Sequence, residues 1–211
     1  MKHKLNLGLI GRDKKDKRDL RFCQVQAPID ESLLPTIVFN PVQIHAQWLG
    51  SCTGFSGATL ASGLSFYEND QFNKFSGRWV YAWNKVYDGM PDIEGSYTRN
   101  TFKTLQKNGV PKDELCPIEF VEHSQFINID KYLGAADKAL ENSILSYIRV
   151  NLAPGLKELK QAIASYKFAG LSMEWFQGSH NPTNYIIRPT GTNYGGHSIC
   201  CCGYISGEND E

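Results

Sequence analysis

The chain lacks several features that would each have pointed to a particular class of protein. No apolar h-region follows the basic residues of Met1 to Asn6, where Gly-Arg-Asp-Lys-Lys-Asp-Lys-Arg comes shortly after instead, so no secretory signal is read. No run has the length needed to cross a bilayer. Neither sign of charge dominates: Lys+Arg and Asp+Glu stand at 22 each and hydrophobic residues make up 41%. That balance argues against a nucleic-acid-binding, membrane-spanning or disordered chain. Internal repeats and low-complexity tracts are missing as well. No C-x-x-C pair has a second ligand pair at a fixed distance, so neither a metal nor a cofactor is called for. At 211 residues the chain can bury a core as one domain or two small lobes.

Six cysteines are present, Cys23, Cys52, Cys116, Cys200, Cys201 and Cys202. The last three are consecutive in a strand-like run and point to alternate faces, so they cannot all meet disulfide geometry; a reducing compartment follows. Cys52 stands apart. It lies in Gln47-Trp48-Leu49-Gly50-Ser51-Cys52-Thr53-Gly54-Phe55-Ser56, where a turn-prone Gly-Ser pair opens an apolar, helix-compatible run. The first turn of a helix carries unpaired N–H groups and partial positive charge, which favour a thiolate. The alternative reading is a small buried hydrophobe.

Along the chain, Leu20 to Val25 alternates like a strand, and the charge run Arg12 to Arg21 before it reads as solvated surface. Cys52 to Tyr67 reads as a buried helix. Ser76 is placed to cap a second, with Trp79, Val80, Trp83, Val86 and Tyr87 as its core stripe and Gly89 as its stop. A glycine-containing loop, Asp92 to Ser96, precedes a third helix, Thr98 to Lys107, closed by Asn108-Gly109. Cys116 to Asn128 shows no period. Asp130 to Leu140 and Leu156 to Ile163 read as helical, while Ser146 to Val150, Phe168 to Phe176, Tyr185 to Ile187 and Ser198 to Tyr204 read as strands. Helices first and strands later indicate an α+β protein with two unlike halves.

A cysteine nucleophile needs a base that titrates near neutrality, and His197 is the best placed histidine. It follows Gly195-Gly196 and opens an apolar strand. His3, His45, His123 and His180 read as surface residues.

Gly50-Ser51-Cys52 with Thr53-Gly54-Phe55-Ser56, and Gly195-Gly196-His197-Ser198 with Gly203-Tyr204 far downstream, resembles the papain-like cysteine peptidases, family C1, of non-secreted microbial or viral type. The likeness runs over nearly the whole chain, including Trp79 to Tyr87, Glu94-Gly95-Ser96, Leu105 to Pro111 and Leu156 to Trp175. It implies a two-lobed α+β fold: a helical half whose central helix starts at the nucleophile, and an antiparallel β-barrel-like half with further strands beyond Glu211. A single catalytic domain, 1–211, would divide into an N-terminal segment and linker (1–40), a mainly helical lobe (41–130) and a mainly β lobe (131–211).

The resemblance implies a peptidase acting through an acyl-enzyme, with Cys52 as nucleophile and His197 as base and acid. Gln47 would serve as oxyanion donor, one residue closer to the cysteine than the family's usual spacing, with Gln43 as the alternative. Gly95, Ser96 and Gly196 would bind the substrate backbone. The family's imidazole-orienting asparagine lies in an Asn-Ser-Trp-Gly-like segment; Asn209, in Gly207 to Glu211, stands in a different context. A catalytically impaired binding module, or a Cys-His amidase or acyltransferase, are the alternative functions. The expected partner is a polypeptide substrate rather than nucleic acid or membrane, with self-inhibition by residues 1 to about 20, in a cytoplasmic or virion-associated protein.

Overall fold

Small and apolar residues recur all round the segment that begins at Cys52, so it packs on every side rather than along one stripe. In the computed structural model, which describes residues 8–13, 16–152, 156–179 and 187–206, this segment is the central helix. It is preceded by α1 (Phe22–Val25) and β1 (Ile37–Phe39) and is labelled α2 (Cys52–Asn69). Next come α3 (Gly77–Asp88) and α4 (Thr98–Lys107), which pack on α2. The short helices α5 (His123–Phe126) and α6 (Ala136–Leu140) and the longer α7 (Lys157–Tyr166) lead to β2 (Ala169–Phe176), β3 (Asn193–Cys201) and β4 (Gly203–Ile205).

Local chemistry accounts for the ends of α3. The Ser76 hydroxyl accepts from Trp79 N–H at 3.0 Å, and Gly89 stops the helix in the left-handed region at φ 68°. Trp79, Val80, Leu105 and Val110 form the middle of the core with Ala58 of α2. Val86, expected in that stripe, is 54% exposed instead, because α3 presents it to solvent.

A buried polar knot fixes the start of α2. Asn84 of α3 donates to Thr53 Oγ1 at 3.3 Å and to Thr101 Oγ1 at 3.1 Å, and accepts from Thr104 Oγ1 at 2.8 Å. Thr101 Oγ1 in turn donates to the Thr53 carbonyl at 2.8 Å. Three helices are thus pinned beside Cys52, by bonds each contributing on the order of 1 kcal/mol.

The strands form two antiparallel pairs, β2 with β3 and β1 with β4. Ile37 opposes Ile205, so the early part of the chain contributes a strand beside the last one. In the larger pair Met173 opposes His197, and a register shift falls between Trp175 and Phe176. His197 therefore sits inside a strand that begins at Asn193 rather than opening one, because the glycine pair Gly195-Gly196 continues the ladder.

Other expectations are corrected. Of the expected strand Leu20 to Val25, Phe22–Val25 forms one helical turn instead, closed by Gln26 N–H on Phe22 O at 3.0 Å, and pairing stops at the bridge that Arg21 makes to Arg149. Ser146 to Val150 makes only a single bridge, Arg149 with Arg21, because Arg21 is the one neighbour that reaches it as a partner strand would. Ile187 is irregular, while Tyr185, Ile186 and Asn209 lie outside the described residues, as do Met1 to Leu7. No helix among the described residues is long and apolar enough to cross a membrane.

Candidate active site

The chain turns sharply before α2. Leu49 takes a left-handed φ of 55°, Trp48 is tied by its indole N–H to Val121 O at 3.0 Å, and the Ser51 hydroxyl donates to Trp48 O. This turn delivers Cys52 as the first residue of the helix. From the other half, the Ser198 backbone N–H donates to Cys52 Sγ at 3.4 Å, so the thiol lies beside the residue that follows His197. The His197 ring packs edge-on against Trp175 across the β2–β3 ladder, with centroids 4.7 Å apart.

Hydroxyl groups hold the two halves together at this point. Ser198 Oγ bonds Ser56 Oγ at 2.9 Å, Thr98 Oγ1 donates to Ser198 Oγ at 3.2 Å, and Thr98 Oγ1 meets Ser172 Oγ at 2.5 Å. α2, α4, β2 and β3 each supply one member. The structure therefore brings Cys52 and His197 together through neighbours whose part the sequence did not reveal: Ser56 and Ser198 flank the motif residues, but nothing in their spacing announces a bond.

Helix-terminus logic predicts a thiolate at Cys52, and the structure corrects that for the closed protein. Cys52 is 1% exposed, and burial pushes its thiol up to about 12, outweighing the N–H groups of Ser198, Thr53 and Cys52 itself. Partial charges at a helix end are worth up to about 2 kcal/mol, less than the cost of burying a thiolate away from water.

Gln47 lies in the turn, half-buried, and one of its amide hydrogens goes to Leu49 O at 3.0 Å. Gln43 Oε1 is buried without a hydrogen-bond partner among the described residues. Across the cleft, Glu94 accepts from Gly50 N–H at 2.9 Å. Gly95, expected to bind backbone in the groove, turns both its peptide groups inward: its N–H donates to Tyr81 OH at 2.8 Å and its carbonyl accepts from Lys85 Nζ at 2.8 Å. Ser96 is pinned through its hydroxyl to Asp88 at 2.7 Å, which leaves its own N–H and C=O facing the cleft. The left-handed φ of 101° at Gly95 makes this possible, and a Cβ there would stand 2.7 Å from Gly8 O.

The cleft is filled by the chain's own beginning. Ser96 N–H donates to Gly8 O at 2.8 Å, Ile10 N–H donates to Ser96 O at 3.2 Å, and Leu9 N–H donates to Gly196 O at 3.1 Å. Leu9 runs parallel to Ser96 and antiparallel to Gly196. Ser96 and Gly196 are thus brought together as a backbone-binding edge, with Gly95 behind it. In the following charge run, read from sequence as solvated surface, Arg12, Lys17 and Arg18 are exposed as read, but the aspartates form an anchor: Asp13 accepts from Arg99 N–H at 3.1 Å, Asp16 pairs with the Arg99 guanidinium at 3.3 Å, and Asp19 bonds the same guanidinium. No group of three or more His, Cys, Asp or Glu side chains among the described residues is placed to hold a metal.

Among solved structures, the chain is similar to xylellain, a cysteine protease from Xylella fastidiosa, at 22% identity and TM-score 0.78 over 96% of this chain and 81% of that one. A digestive procathepsin L 3 of Tenebrio molitor larval midgut matches with 14% identity and TM-score 0.62 over 96% of this chain, which spans 62% of that protein. Procathepsin B S9 from Trypanosoma congolense gives 13% identity and TM-score 0.62 over 96% and 72% of the two chains. The fold is papain-like. No protein-family model and no curated protein sequence matches the chain.

Within this papain-like fold, two histidines expected at the surface are half-buried. His45 packs near Phe55 with ring centroids 6.4 Å apart, and His123 meets Tyr81 OH at 3.0 Å. The His123 contact has no sequence signal, since it joins residues 42 apart in the chain.

Proposed function

We propose that the protein is a cysteine peptidase hydrolysing peptide bonds of polypeptide substrates, closed in this state by its own N-terminal segment. The observation that carries this reading is the 3.4 Å contact between Ser198 N–H and Cys52 Sγ, which sets the thiol at a helix start next to His197. His197 takes the Sγ proton, and the thiolate attacks the substrate carbonyl carbon to form the C–S bond. The resulting oxyanion is met by Cys52 N–H and the Gln47 amide. On collapse the C–N bond breaks and His197 returns its proton to the departing amine. Water, deprotonated by His197, then hydrolyses the thioester and regenerates the thiol. Ser96 and Gly196 hold the substrate backbone by strand addition, as they now hold Gly8 to Ile10.

The reading is tested by alkylation with an epoxide thiol reagent. Turnover of a broad peptide library should fall in proportion to modification, with the adduct on Cys52. Turnover that survives complete modification of Cys52 would rule the mechanism out.

The strap is held snugly: a Cβ on Gly8 would stand 1.8 Å from Gly50 O. Its anchor is Arg99, with Arg149 adding a contact to Asp19 at 3.4 Å. Arg99→Ala in the full chain is expected to accelerate both Cys52 alkylation and peptide turnover by roughly fivefold, the scale of a partly buried ion cluster worth about 1 kcal/mol. Rates equal to the parent protein would mean that the segment is not the gate.

A further inference from the structure

Tyr81, wholly buried on α3, stands between a half-buried histidine and the loop that presents Ser96. Its phenol oxygen accepts from Gly95 N–H at 2.8 Å and lies 3.0 Å from Nε2 of His123. The ring of His123 tilts against that of Tyr81 with centroids 5.9 Å apart, so the contact belongs to packed groups and not to a loose surface chain. With Gly95 N–H occupying one side of the phenol oxygen, the arrangement that gives the hydroxyl hydrogen a partner is the one in which it points to an unprotonated Nε2. The three-membered line His123, Tyr81, Gly95 is therefore complete only when the imidazole is neutral, with its proton on Nδ1.

We propose that His123 is a positioning residue for substrate recognition, acting through Tyr81 to fix the Gly95 peptide and with it the direction of the Ser96 backbone groups. This rests on the peptidase reading of the cleft. Protonating Nε2 turns an acceptor into a donor. The phenol oxygen would then face two N–H groups, while its own hydrogen lost its acceptor in a buried place. The Gly95 peptide loosens, and the Ser96 N–H and C=O, which depend on Gly95 being held inward, no longer point steadily into the cleft. Substrate backbone binding weakens while the Cys52 and His197 pair, on other elements, is untouched.

The groups facing His123 set where this happens. Burial lowers the imidazole pKa below its ordinary value and Lys85 of α3 acts in the same direction; Glu94 and Asp92 of the loop and Asp88 of α3 oppose them. The net shift is downward, so the line is closed at neutral pH and opens as the pH falls through the depressed value.

Two measurements on the full-length protein test this. In NMR titrations the Gly95 amide proton should shift with the same midpoint as the His123 ring, below the ordinary imidazole value, and Tyr81→Phe should abolish the Gly95 response. In kinetics, acidification through that midpoint should raise KM for a peptide substrate roughly three- to tenfold with kcat following the Cys52 and His197 titration alone. Tyr81→Phe should show the raised KM at all pH values, and His123→Gln, whose amide oxygen is a permanent acceptor, should hold KM low into the acid range. A Gly95 amide that ignores the His123 titration, or one that still follows it in Tyr81→Phe, overturns the proposal, as does a pH-independent KM. A protein without turnover would sink the peptidase reading instead, and the amide titration would still decide for or against His123.

Discussion

Cys52→Ala is expected to lower peptide turnover on the order of 10⁵- to 10⁶-fold, the scale seen when a nucleophile acting as a unit with its base is removed. The residue change is small, so the loss would be chemical. Cys52 Sγ accepts from the Ser198 N–H of the β2–β3 pair, and the substitution takes away a single sulfur from a position 1% exposed. The polar knot of Asn84, Thr53, Thr101 and Thr104 that fixes the start of α2 does not involve the thiol. The melting temperature should therefore stay within a few degrees of the parent, and strap binding should persist because Gly8 to Ile10 is held by backbone groups. Cys52→Ser keeps a hydroxyl in place but presents His197 with a far weaker acid than a thiol, and should be nearly as inactive. Turnover within tenfold of the parent in either variant would refute Cys52 as nucleophile.

The second large effect is on stability and falls on Arg78. Its side chain is 2% exposed, and its guanidinium reaches five partners. Nε donates to Phe126 O at 2.9 Å, Nη2 to Gln125 O at 2.7 Å, and Nη1 to Tyr132 OH and Glu119, both at 2.7 Å, and to Pro117 O at 3.4 Å. The cation also sits 4.7 Å from the centre of the Tyr132 ring and 5.2 Å from that of Phe126. One side chain thus ties together segments across 117–132, from Pro117 and Glu119 through the end of α5 to Tyr132. Arg78→Ala takes away the donor to the carbonyl of buried Phe126 and the cation that joins Glu119 and Tyr132, and unfolding in urea at neutral pH should reveal a loss of about 3–5 kcal/mol. Arg78→Lys should recover only part of it, because an ammonium cannot reproduce the planar fork. A loss below about 1 kcal/mol would show the loop to be held by other means.

The same cluster sets an acid limit. Lys131 first, then Arg78, hold the Glu119 carboxyl down at about 2. Because that folded value lies below the ordinary one, the contribution of the pair is present above the usual carboxylate range and is lost as the pH falls toward about 2.

Much of the fold was legible because its signals are local. Ser76 and Gly89 bracket α3 by capping chemistry, and α4 spans the periodic run Thr98 to Lys107 as read. The Cys52 and His197 segments could be paired because family-like spelling surrounds both. What escaped the sequence depends on distant partners. Leu20 to Val25 alternates as a strand would, yet its pairing goes no further than the single Arg21–Arg149 bridge and Phe22–Val25 curls into a turn. Gly95 has the small size expected of a backbone-binding residue, but Tyr81 and Lys85 claim its peptide groups and pass that part to Ser96. The aspartates of the charge run looked solvated because Arg99 lies some eighty residues further on, and the thiolate expected at Cys52 ignored how deeply the thiol is covered.

The seam between the two halves is made of Ser56, Ser198, Thr98 and Ser172, four hydroxyls. Hydroxyls rotate to swap donor and acceptor roles and carry no charge to be screened or titrated. The strap, by contrast, is fastened through ion pairs at Arg99. Raising ionic strength therefore acts on the fastening and spares the joint: the cover can loosen in brine while thiol and imidazole keep their register, as a lid may be unclipped from a box whose hinge is glued.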